Sequence, residues 1–388
     1  MKINYTRRCL GIVALSSIWL LQAKGYSETA NNLVIKASNR LNISRNSETI
    51  EINVRDILEK SSLVNLEQLV VNDQLGQRLI HQLLDIDLDG TYDKLIFQAD
   101  FDPKQRKTFV ITSASDSVTQ WVSKVYARFV PTRQDDFAWE NDRIAYRMYG
   151  PALEASGEIS SGVDVWVKRT RDMILDKWYQ PDYNYHSDSG DGLDYYKVGS
   201  SRGCGGITLW DGKQFHVSNN FQSWKIIANG PIRVVFELQY AWSVDGIQVI
   251  ETKRISLDAG QNLNRFESRF QFSNSNTDLV NAVGLVQREG SGRVETNIST
   301  GWLGYWEPAH KQHGSTGCGI VFNPKYINEM REAENHYFVF TSSFKEQLTY
   351  YAGAGWQRSG DFETCDDWFA YLEDFAIRLQ HPLVIIYE

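Results

Sequence analysis

Residues 185–206, YHSDSGDGLDYYKVGSSRGCGG, concentrate side chains that could move protons and hold an anion. His186 could act as a general base, because the unperturbed pKa of imidazole lies near neutral pH. Asp188 or Asp191 could orient its ring, and Arg202 could hold a carboxylate through two parallel hydrogen bonds. Three tyrosines of the stretch could serve as acid or base: Tyr185, Tyr195 and Tyr196.

Six glycines separate these groups and permit turns or a close approach of the backbone to a ligand. They do not form a phosphate-binding loop, since no Gly-Lys-Ser/Thr sequence follows and no strand–GxGxxG–helix arrangement surrounds them. An ordered surface loop, whose polar groups bond only one another, is the alternative interpretation. The number of different functional groups favours a site.

Basic and aromatic residues gather in two segments upstream, 140–150 and 161–171, of an acidic chain. Alternation along the second segment places Trp166 and Lys168 on the same face of a strand. A tryptophan beside a lysine suits a sugar acid, because the indole can stack on the ring and the ammonium can bind the carboxylate. An ordinary solvated sheet face is the competing interpretation. The two segments also contain Arg143, Tyr146, Arg147, Arg169 and Arg171.

The segment 301–314, GWLGYWEPAHKQHG, adds histidines, tryptophans and a glutamate. Its HxxH spacing with a nearby glutamate could bind zinc, but Pro308 interrupts any helix and no further ligand pattern follows. We therefore expect this loop to cap a cleft lined by aromatic residues. The residues concerned are Trp302, Trp306, Glu307, His310 and His313.

A second potential metal site is DIDLDGTYD, residues 85–93. Its acidic residues and Gly90 resemble the first half of a calcium-binding loop. Ile96 stands where such a loop has a bidentate glutamate, and a polar β-turn is the alternative. The sequence leaves a divalent metal open and assigns no cofactor.

The chain lacks the GxSxG, CxxC and Ser-His-Asp signatures of several enzyme classes. Nucleophilic hydrolysis and thiol redox chemistry are therefore disfavoured. Three cysteines follow residue 25, and the sequence leaves their pairing open: Cys204, Cys318 and Cys365.

The elements that would position these groups are mainly β-strands. We predict an all-β protein with a strand-rich N-terminal region, 26–130, and a large antiparallel β-sandwich domain, 131–388, that contains the catalytic cleft. A few helices are expected, the clearest in 364–380, where apolar residues recur at helical spacing. The clearest strands are 232–242, 247–257 and 262–272, which should form an antiparallel meander.

The first 25 residues have the order of a secretory signal: basic residues, the apolar run LGIVALSSIWLL and small residues in AKG. Their removal takes away four basic residues and no acidic one, so the formal charge falls from −8 to −12. Such a charge argues against nucleic acid or an anionic membrane as a partner, but local cations can still bind an anionic sugar. We predict an exported protein, periplasmic or secreted, that does not insert into the membrane after signal cleavage.

Several segments together resemble a bacterial family, domain of unknown function 4861: ENDRIAYRMYGP, SGVDVWVKR, YHSDSGDGLDYYKVGSSRGCGGITLWDGK, NGPIRVVFELQY and GYWEP. The resemblance covers about residues 30–388. It implies an exported protein associated with polysaccharide degradation and a large β-sandwich of the galactose-mutarotase type. For at least one branch it also implies a dehydratase that removes water from the non-reducing-end uronic acid of oligosaccharides such as ulvan fragments.

This reaction removes the proton at C5, next to the carboxylate, and expels the C4 hydroxyl to leave a 4,5-unsaturated uronate. It needs a base, an acid and a cation that stabilises the developing negative charge. A polysaccharide lyase, a sugar epimerase and a non-catalytic carbohydrate-binding protein are the alternatives. The predicted catalytic residues are Lys168, Tyr185, His186, Tyr196 and Arg202. The predicted substrate-binding residues, for an anionic oligosaccharide, are Arg143, Trp166, Tyr195, Lys197, Trp302, Trp306 and His310.

Overall fold

The computed structural model of the 388-residue chain describes residues 32–114, 121–274 and 279–388. The predicted signal peptide, residues 1–25, lies outside these ranges, so export and localisation stay predictions. No helix within the described ranges combines the length and the apolar character needed to cross a membrane.

Seven strands and one helix precede residue 114. Apolar residues alternate along several of these strands, as expected for strands with one face in a core. The elements are β1 (Leu33–Ser38), β2 (Arg45–Asn53), α1 (Val54–Lys60), β3 (Leu69–Asp73), β4 (Arg78–Leu79), β5 (His81–Leu84), β6 (Lys94–Phe101) and β7 (Arg106–Ser113).

The remaining strands and helices begin at residue 125. The strands up to the middle of the chain are β8 (Val125–Val130), β9 (Asp136–Asn141), β10 (Ile144–Met148), β11 (Asp164–Lys168), β12 (Gly192–Leu193), β13 (Cys204–Trp210), β14 (Phe215–His216) and β15 (Ser223–Asn229). Those that follow are β16 (Arg233–Val244), β17 (Ile247–Asp258), β18 (Leu263–Phe272), β19 (Val280–Val286), β20 (Arg293–Asn297), β21 (Trp302–Trp306), β22 (Thr316–Phe322), β23 (Ile327–Ala333), β24 (His336–Thr341), β25 (Gln347–Trp356) and β26 (Val384–Tyr387). The helices are α2 (Pro151–Ala155), α3 (Leu175–Trp178) and α4 (Cys365–Gln380).

The N-terminal strands form a small sandwich of two sheets, with the orders β26–β1–β7–β3–β4 and β2–β6–β5. Facing apolar side chains, among them Ile35, Ile52 and Phe97, give it a core of its own. The last strand, β26, pairs with β1 and so returns the C-terminus to this unit. Strand β8 pairs with β9 and so belongs to the sheets of the main unit.

The main unit is a larger sandwich of antiparallel sheets. One layer is an eight-stranded sheet with the order β15–β16–β17–β18–β25–β22–β21–β20. The other layer consists of two five-stranded sheets, β12–β11–β10–β9–β8 and β14–β13–β19–β24–β23, which a parallel bridge between Val163 and Gly203 joins. The largest core lies between the layers and includes Trp139, Phe236 and Tyr350. The predicted all-β class with a large antiparallel sandwich is confirmed.

The predicted meander is present as β16, β17 and β18, which pair in sequence order. Asp245 and Gly246 join the first two strands, with φ values of 49° and 82°. Positive φ at both central residues is typical of the type I′ turn, whose twist matches that of the flanking strands. This turn therefore fixes the register of the two longest strands.

Helix α4 covers the outer face of the eight-stranded sheet, as predicted for 364–380. Thr364 caps it by accepting a hydrogen bond from the backbone N–H of Asp367. Glycines in the sheet let the helix approach closely, since a Cβ atom at Gly319 would lie 2.5 Å from Leu372. Trp368 and Leu372 are fully buried in this contact.

Residues 170–196 cover the outer face of the sheet that contains β11. Trp178 and Tyr185 of this segment pack against Trp166, with ring centroids 5.5 and 4.8 Å away. Both faces of β11 are therefore buried. The expectation of an open sheet face carrying Trp166 and Lys168 is wrong.

Leu372→Ala tests the packing of α4 on the sheet. We expect it to lower the free energy of unfolding by about 2–5 kcal/mol, because truncating a buried leucine removes apolar contact and leaves a cavity. Leu379→Ala in the same helix is the matched control, since Leu379 is 39% exposed. Urea unfolding followed by tryptophan fluorescence compares the two, and equal destabilisation would contradict the packing described.

Candidate active site

A tyrosine and two histidines meet at one end of the main sandwich. The ring of Tyr195 lies 5.1 Å from that of His313 and 5.7 Å from that of His310. The two imidazoles stack with their centroids 4.6 Å apart. The hydroxyl oxygen of Tyr195 is 2.5 Å from Oγ1 of Thr316. We call these four residues the histidine–tyrosine cluster, and it brings together two of the predicted substrate-binding residues.

Backbone hydrogen bonds fix the histidines of this cluster. They lie in the loop between β21 and β22. The backbone N–H groups of His310 and Gly314 donate to each other's carbonyl oxygens, at 2.9 and 3.0 Å, and so close this loop. Gly314 has a φ of 74°, which only glycine adopts readily. Nε1 of Trp356 donates to the carbonyl oxygen of His313 at 2.7 Å. Tyr195 arrives from the opposite layer, two residues after β12.

Burial and neighbouring charge set the protonation states of the cluster. Burial raises the pKa of Tyr195, so its hydroxyl keeps its proton at neutral pH. Burial, with the positive charges of His310 and Arg358, lowers the pKa of His313. The cluster therefore pairs a proton donor with a neutral imidazole that can accept a proton.

Three arginines surround the cluster. Arg169 pairs with Asp188 at 2.6 Å, and Arg288 pairs with Glu307 at 3.0 Å. Arg358 is exposed and forms no ion pair with any residue that the structure describes. Its charge is therefore available to an anionic ligand.

A carboxyl group with a shifted pKa lies beside these residues. Glu307 is 6% exposed, and burial raises its pKa to about 7 although the charge of Arg288 lowers it. The guanidinium of Arg288 also lies 4.5 Å from the ring of Tyr196, whose hydroxyl is 3.6 Å from Sγ of Cys318. Tyr196 is therefore enclosed next to the cluster, while Glu307 can change its protonation near neutral pH.

A second polar cluster lies on the outer face of the sheet that contains β11. Arg147 lies 3.4 Å from Asp136, 2.6 Å from Asp164 and 3.2 Å from Asp194. We call these four residues the arginine–carboxylate cluster. Burial raises the pKa of Asp136 to about 6 and also raises the pKa of Asp194, against the opposing charge of Arg147.

The predicted base, His186, lies at the edge of this second cluster. Its Nδ1–H donates to the carbonyl oxygen of Asp194 at 3.0 Å, and most of its side chain is exposed. The predicted catalytic Tyr185 is its neighbour, with ring centroids 4.5 Å apart, but Tyr185 is buried. The glycine-rich stretch thus supplies residues to two clusters rather than to one.

Both predicted catalytic cations, Lys168 and Arg202, are buried. Lys168 is 1% exposed, and its Nζ lies 2.6 Å from the carboxylate of Glu140. Arg202 is 2% exposed and donates to Oγ of Ser161 at 3.2 Å. Burial lowers the pKa of Arg202 to about 10. Neither side chain reaches the surface, so the structure does not favour them as the groups that grip a substrate carboxylate.

The three tryptophans predicted to bind substrate are also buried. Trp166 lies under residues 170–196, and Trp302 and Trp306 pack beneath α4. This burial does not favour them as stacking surfaces for a sugar. Of the remaining two predicted residues, Lys197 is exposed, and Arg143 forms an ion pair with Asp361.

Sequence reasoning did not assign catalytic or binding roles to several residues of the site. Two of them could have been found from the HxxH segment, because Glu307 and His313 lie in the same segment as the predicted His310. The others come from loops that only the tertiary structure brings to this end of the sandwich. The residues are Arg169, Arg288, Glu307, His313 and Arg358.

Two groups of potential metal ligands occur within the described ranges, and neither includes the HxxH histidines. The zinc interpretation of that segment therefore receives no support. The described chain also contains three free cysteines and no disulfide. The ligand groups are Asp85, Asp87 and Asp89, in the calcium-like loop, and Asp211, His216 and Asp245.

Comparison with known proteins identifies the family. The sequence model of the family called domain of unknown function (DUF4861) matches residues 37–385. The chain belongs to this family. The resemblance of the motifs is thereby confirmed. A family relative from Formosa agariphila, described as "Uncharacterized protein P7", is 34% identical over 399 residues, which cover 97% of this chain and 98% of the relative.

One solved structure has a fold similar to that of this chain. It is a protein in glycosyl hydrolase family 38 from Enterococcus faecalis, with a TM-score of 0.53 and 10% sequence identity. The match covers 92% of this chain and 47% of the other, so the chain spans about half the length of that protein. At this identity the similarity concerns the fold alone.

Lys168→Ala separates a structural from a catalytic role for this lysine. We expect a loss of about 3–5 kcal/mol in the free energy of unfolding, because the buried Glu140 would lose its cation. Lys197→Ala is the matched control, since Lys197 is exposed. Calorimetric unfolding measures both, and a Lys168→Ala protein of unchanged stability would contradict the structural role.

Proposed function

We propose that the protein is a hydro-lyase that removes water from the non-reducing-end uronic acid of acidic oligosaccharides, such as ulvan fragments. The histidine–tyrosine cluster carries this proposal, because a protonated tyrosine and a neutral imidazole lie side by side near an arginine with no carboxylate partner in the described ranges. The family resemblance, and a fold shared with a glycosyl hydrolase family protein, are consistent with a carbohydrate substrate.

The proposed reaction is a β-elimination. A base takes the C5 proton, and the electrons of that bond form the C4=C5 double bond. The C4–O bond breaks, and the departing hydroxyl receives a proton from an acid, so the products are an unsaturated sugar and water. The C5 proton becomes acidic enough only if the negative charge that develops on the adjacent carboxylate is stabilised.

We assign the base to His313 and the acid to Tyr195. The lowered pKa of His313 keeps its imidazole free of the extra proton, and the raised pKa of Tyr195 keeps its hydroxyl protonated. The two rings are 5.1 Å apart, close enough to act on adjacent carbon atoms of one sugar. Each group is thus in the protonation state that its step requires.

We assign the substrate carboxylate to Arg358. The other two arginines near the cluster already form ion pairs, whereas Arg358 is exposed and forms none in the described chain. An arginine can bind a carboxylate through two parallel hydrogen bonds and stabilise the charge that develops on it.

His186 is the second candidate base, on the arginine–carboxylate cluster. Arg147 of that cluster is already surrounded by three carboxylates. Arg133, whose guanidinium lies 5.1 Å from the ring of Tyr185, is the other cation near His186. We favour His313, because Tyr195 lies beside it as a partner acid, whereas the Tyr185 beside His186 is buried and already accepts a hydrogen bond from Arg133.

Other reactions of the same groups give different products. A chain-cleaving lyase differs only in its leaving group at C4, and an epimerase returns a proton to C5. Incubation with saturated uronate oligosaccharides separates these outcomes. New ultraviolet absorbance with a mass loss of one water indicates a dehydratase, and absorbance with chain cleavage indicates a polysaccharide lyase. Altered stereochemistry at unchanged mass indicates an epimerase, and binding without turnover indicates a carbohydrate-binding protein.

Tyr195→Phe and His313→Ala test the assigned acid and base. Each should lower kcat by about 10²–10⁴-fold, the usual contribution of a positioned acid or base. The phenylalanine keeps the aromatic ring, so folding should be preserved. Ultraviolet absorbance of the unsaturated product gives the rate, and Tyr326→Phe, at a tyrosine that is 40% exposed, is the control.

His186→Ala distinguishes the two candidate bases in the same assay. We expect it to cost far less than His313→Ala. The acid limb of the pH profile of kcat/KM should lie below pH 6.5, because activity falls only as the lowered pKa of His313 is passed. A full loss in His186→Ala with a normal His313→Ala would move the base to the other cluster.

Arg358→Ala tests the binding of the carboxylate. It should lower kcat/KM for the uronate substrate by about 10²-fold, the scale of losing one donor to developing charge. A substrate whose carboxylate is reduced to an alcohol should give a low kcat/KM with the parent protein. Arg358→Ala should not lower that kcat/KM further. Equal losses on both substrates would show that Arg358 does not act on the carboxylate. Lys213→Ala, at an exposed lysine, is the control for surface charge.

A further inference from the structure

A row of cations follows one end of the sheet that contains β11. Arg169 and Arg171 come directly after β11, Arg143 lies in the turn between β9 and β10, and Lys124 precedes β8. In an antiparallel sheet these positions share one end, and the backbone N–H of Asp142 donates to the carbonyl oxygen of Lys124 there. Arg169 lies 5.1 Å from the ring of Trp356, whose indole N–H donates to His313, so the row begins beside the histidine–tyrosine cluster and runs away from it.

The cations of the row outnumber the carboxylates that form ion pairs with them among the described residues. Arg143 and Arg171 share a single carboxylate, that of Asp361, and Arg171 binds it through two nitrogens at 2.7 and 2.9 Å. Lys124 is exposed and has no ion pair in the described ranges. Three strand spacings of about 4.8 Å separate the end of β11 from the start of β8, about 14 Å in all.

A groove between the small sandwich and the main unit begins where the row ends. Its volume is about 610 Å³, within the range of small-molecule sites, and Lys124 belongs to its lining. Trp121, which is half-buried, also lines it, as do Arg78 and Lys107. None of these three cations forms an ion pair in the described chain, and the two aspartates of the lining accept backbone N–H groups instead.

We propose that the row and the groove form a distal subsite for an acidic oligosaccharide whose end occupies the histidine–tyrosine cluster. Uronate carboxylates recur along such a chain, and the cations recur along the strand ends. The ring of Trp121 provides a stacking surface for a sugar at the far end. This inference takes its sugar class from the proposed function, but it concerns binding rather than turnover.

The test compares short and long oligosaccharides. Calorimetric titration of the Tyr195→Phe protein, with a disaccharide and an octasaccharide prepared from ulvan, measures binding without turnover. Adding Trp121→Ala or Lys124→Ala should weaken binding of the octasaccharide about tenfold, the loss of one good contact, and leave the disaccharide unchanged. Trp224→Ala and Lys213→Ala, at an exposed tryptophan and an exposed lysine elsewhere, are the matched controls.

Each outcome decides one question. Unchanged octasaccharide affinity in both variants, or equal weakening for both lengths, overturns the distal subsite. Should Trp121→Ala fail to fold, the exposed Lys124 still provides the test. Parent protein that binds the octasaccharide in a length-dependent way but never releases an unsaturated product would overturn the proposed reaction and leave the subsite standing.

Discussion

The buried carboxylate of Glu140 holds together three parts of the chain near the candidate site. It accepts a hydrogen bond from Nζ of Lys168 at 2.6 Å and from the backbone N–H groups of Ile174 and Leu175 at 2.8 Å. An ionised carboxylate in such a place is tolerated only with partners of this kind. The ion pair therefore anchors the beginning of the segment 170–196 on the sheet. Further along the same segment, Trp178 and Tyr185 pack against Trp166 of that sheet.

The anchored segment explains why the glycine-rich stretch serves two clusters. It returns to the sheet as β12, which pairs with the end of β11 and so fixes the residues that come next. Asp194 turns toward Arg147, and Tyr195, the adjacent residue, turns toward the histidines of the opposite layer. Neighbouring side chains in an extended backbone point to opposite sides, so one short run supplies both clusters.

Local sequence patterns predicted the parts of the fold that depend on local physics. The hairpin around Asp245 follows from alternation and turn chemistry, and the helix after Thr364 follows from the helical spacing of its apolar residues. The burial of Lys168 and Arg202 could not be predicted in this way. Lys168 is buried by a segment that follows its strand, and Arg202 is buried by the packing of two sheets. The local sequence alone would place a lysine or an arginine at the surface, because it shows neither of these contacts.

The distribution of charged residues distinguishes this end of the sandwich. The chain carries a net charge of −8, so most of its surface repels a polyanion. The strand ends beside the histidine–tyrosine cluster are different, because Arg143 and Arg171 share one carboxylate and Arg358 has none in the described ranges. In the proposed function, these cations would attract the carboxylates of an acidic oligosaccharide to this end. A neutral sugar would gain nothing from them, so the proposed binding and the proposed elimination depend on the same substrate carboxylate.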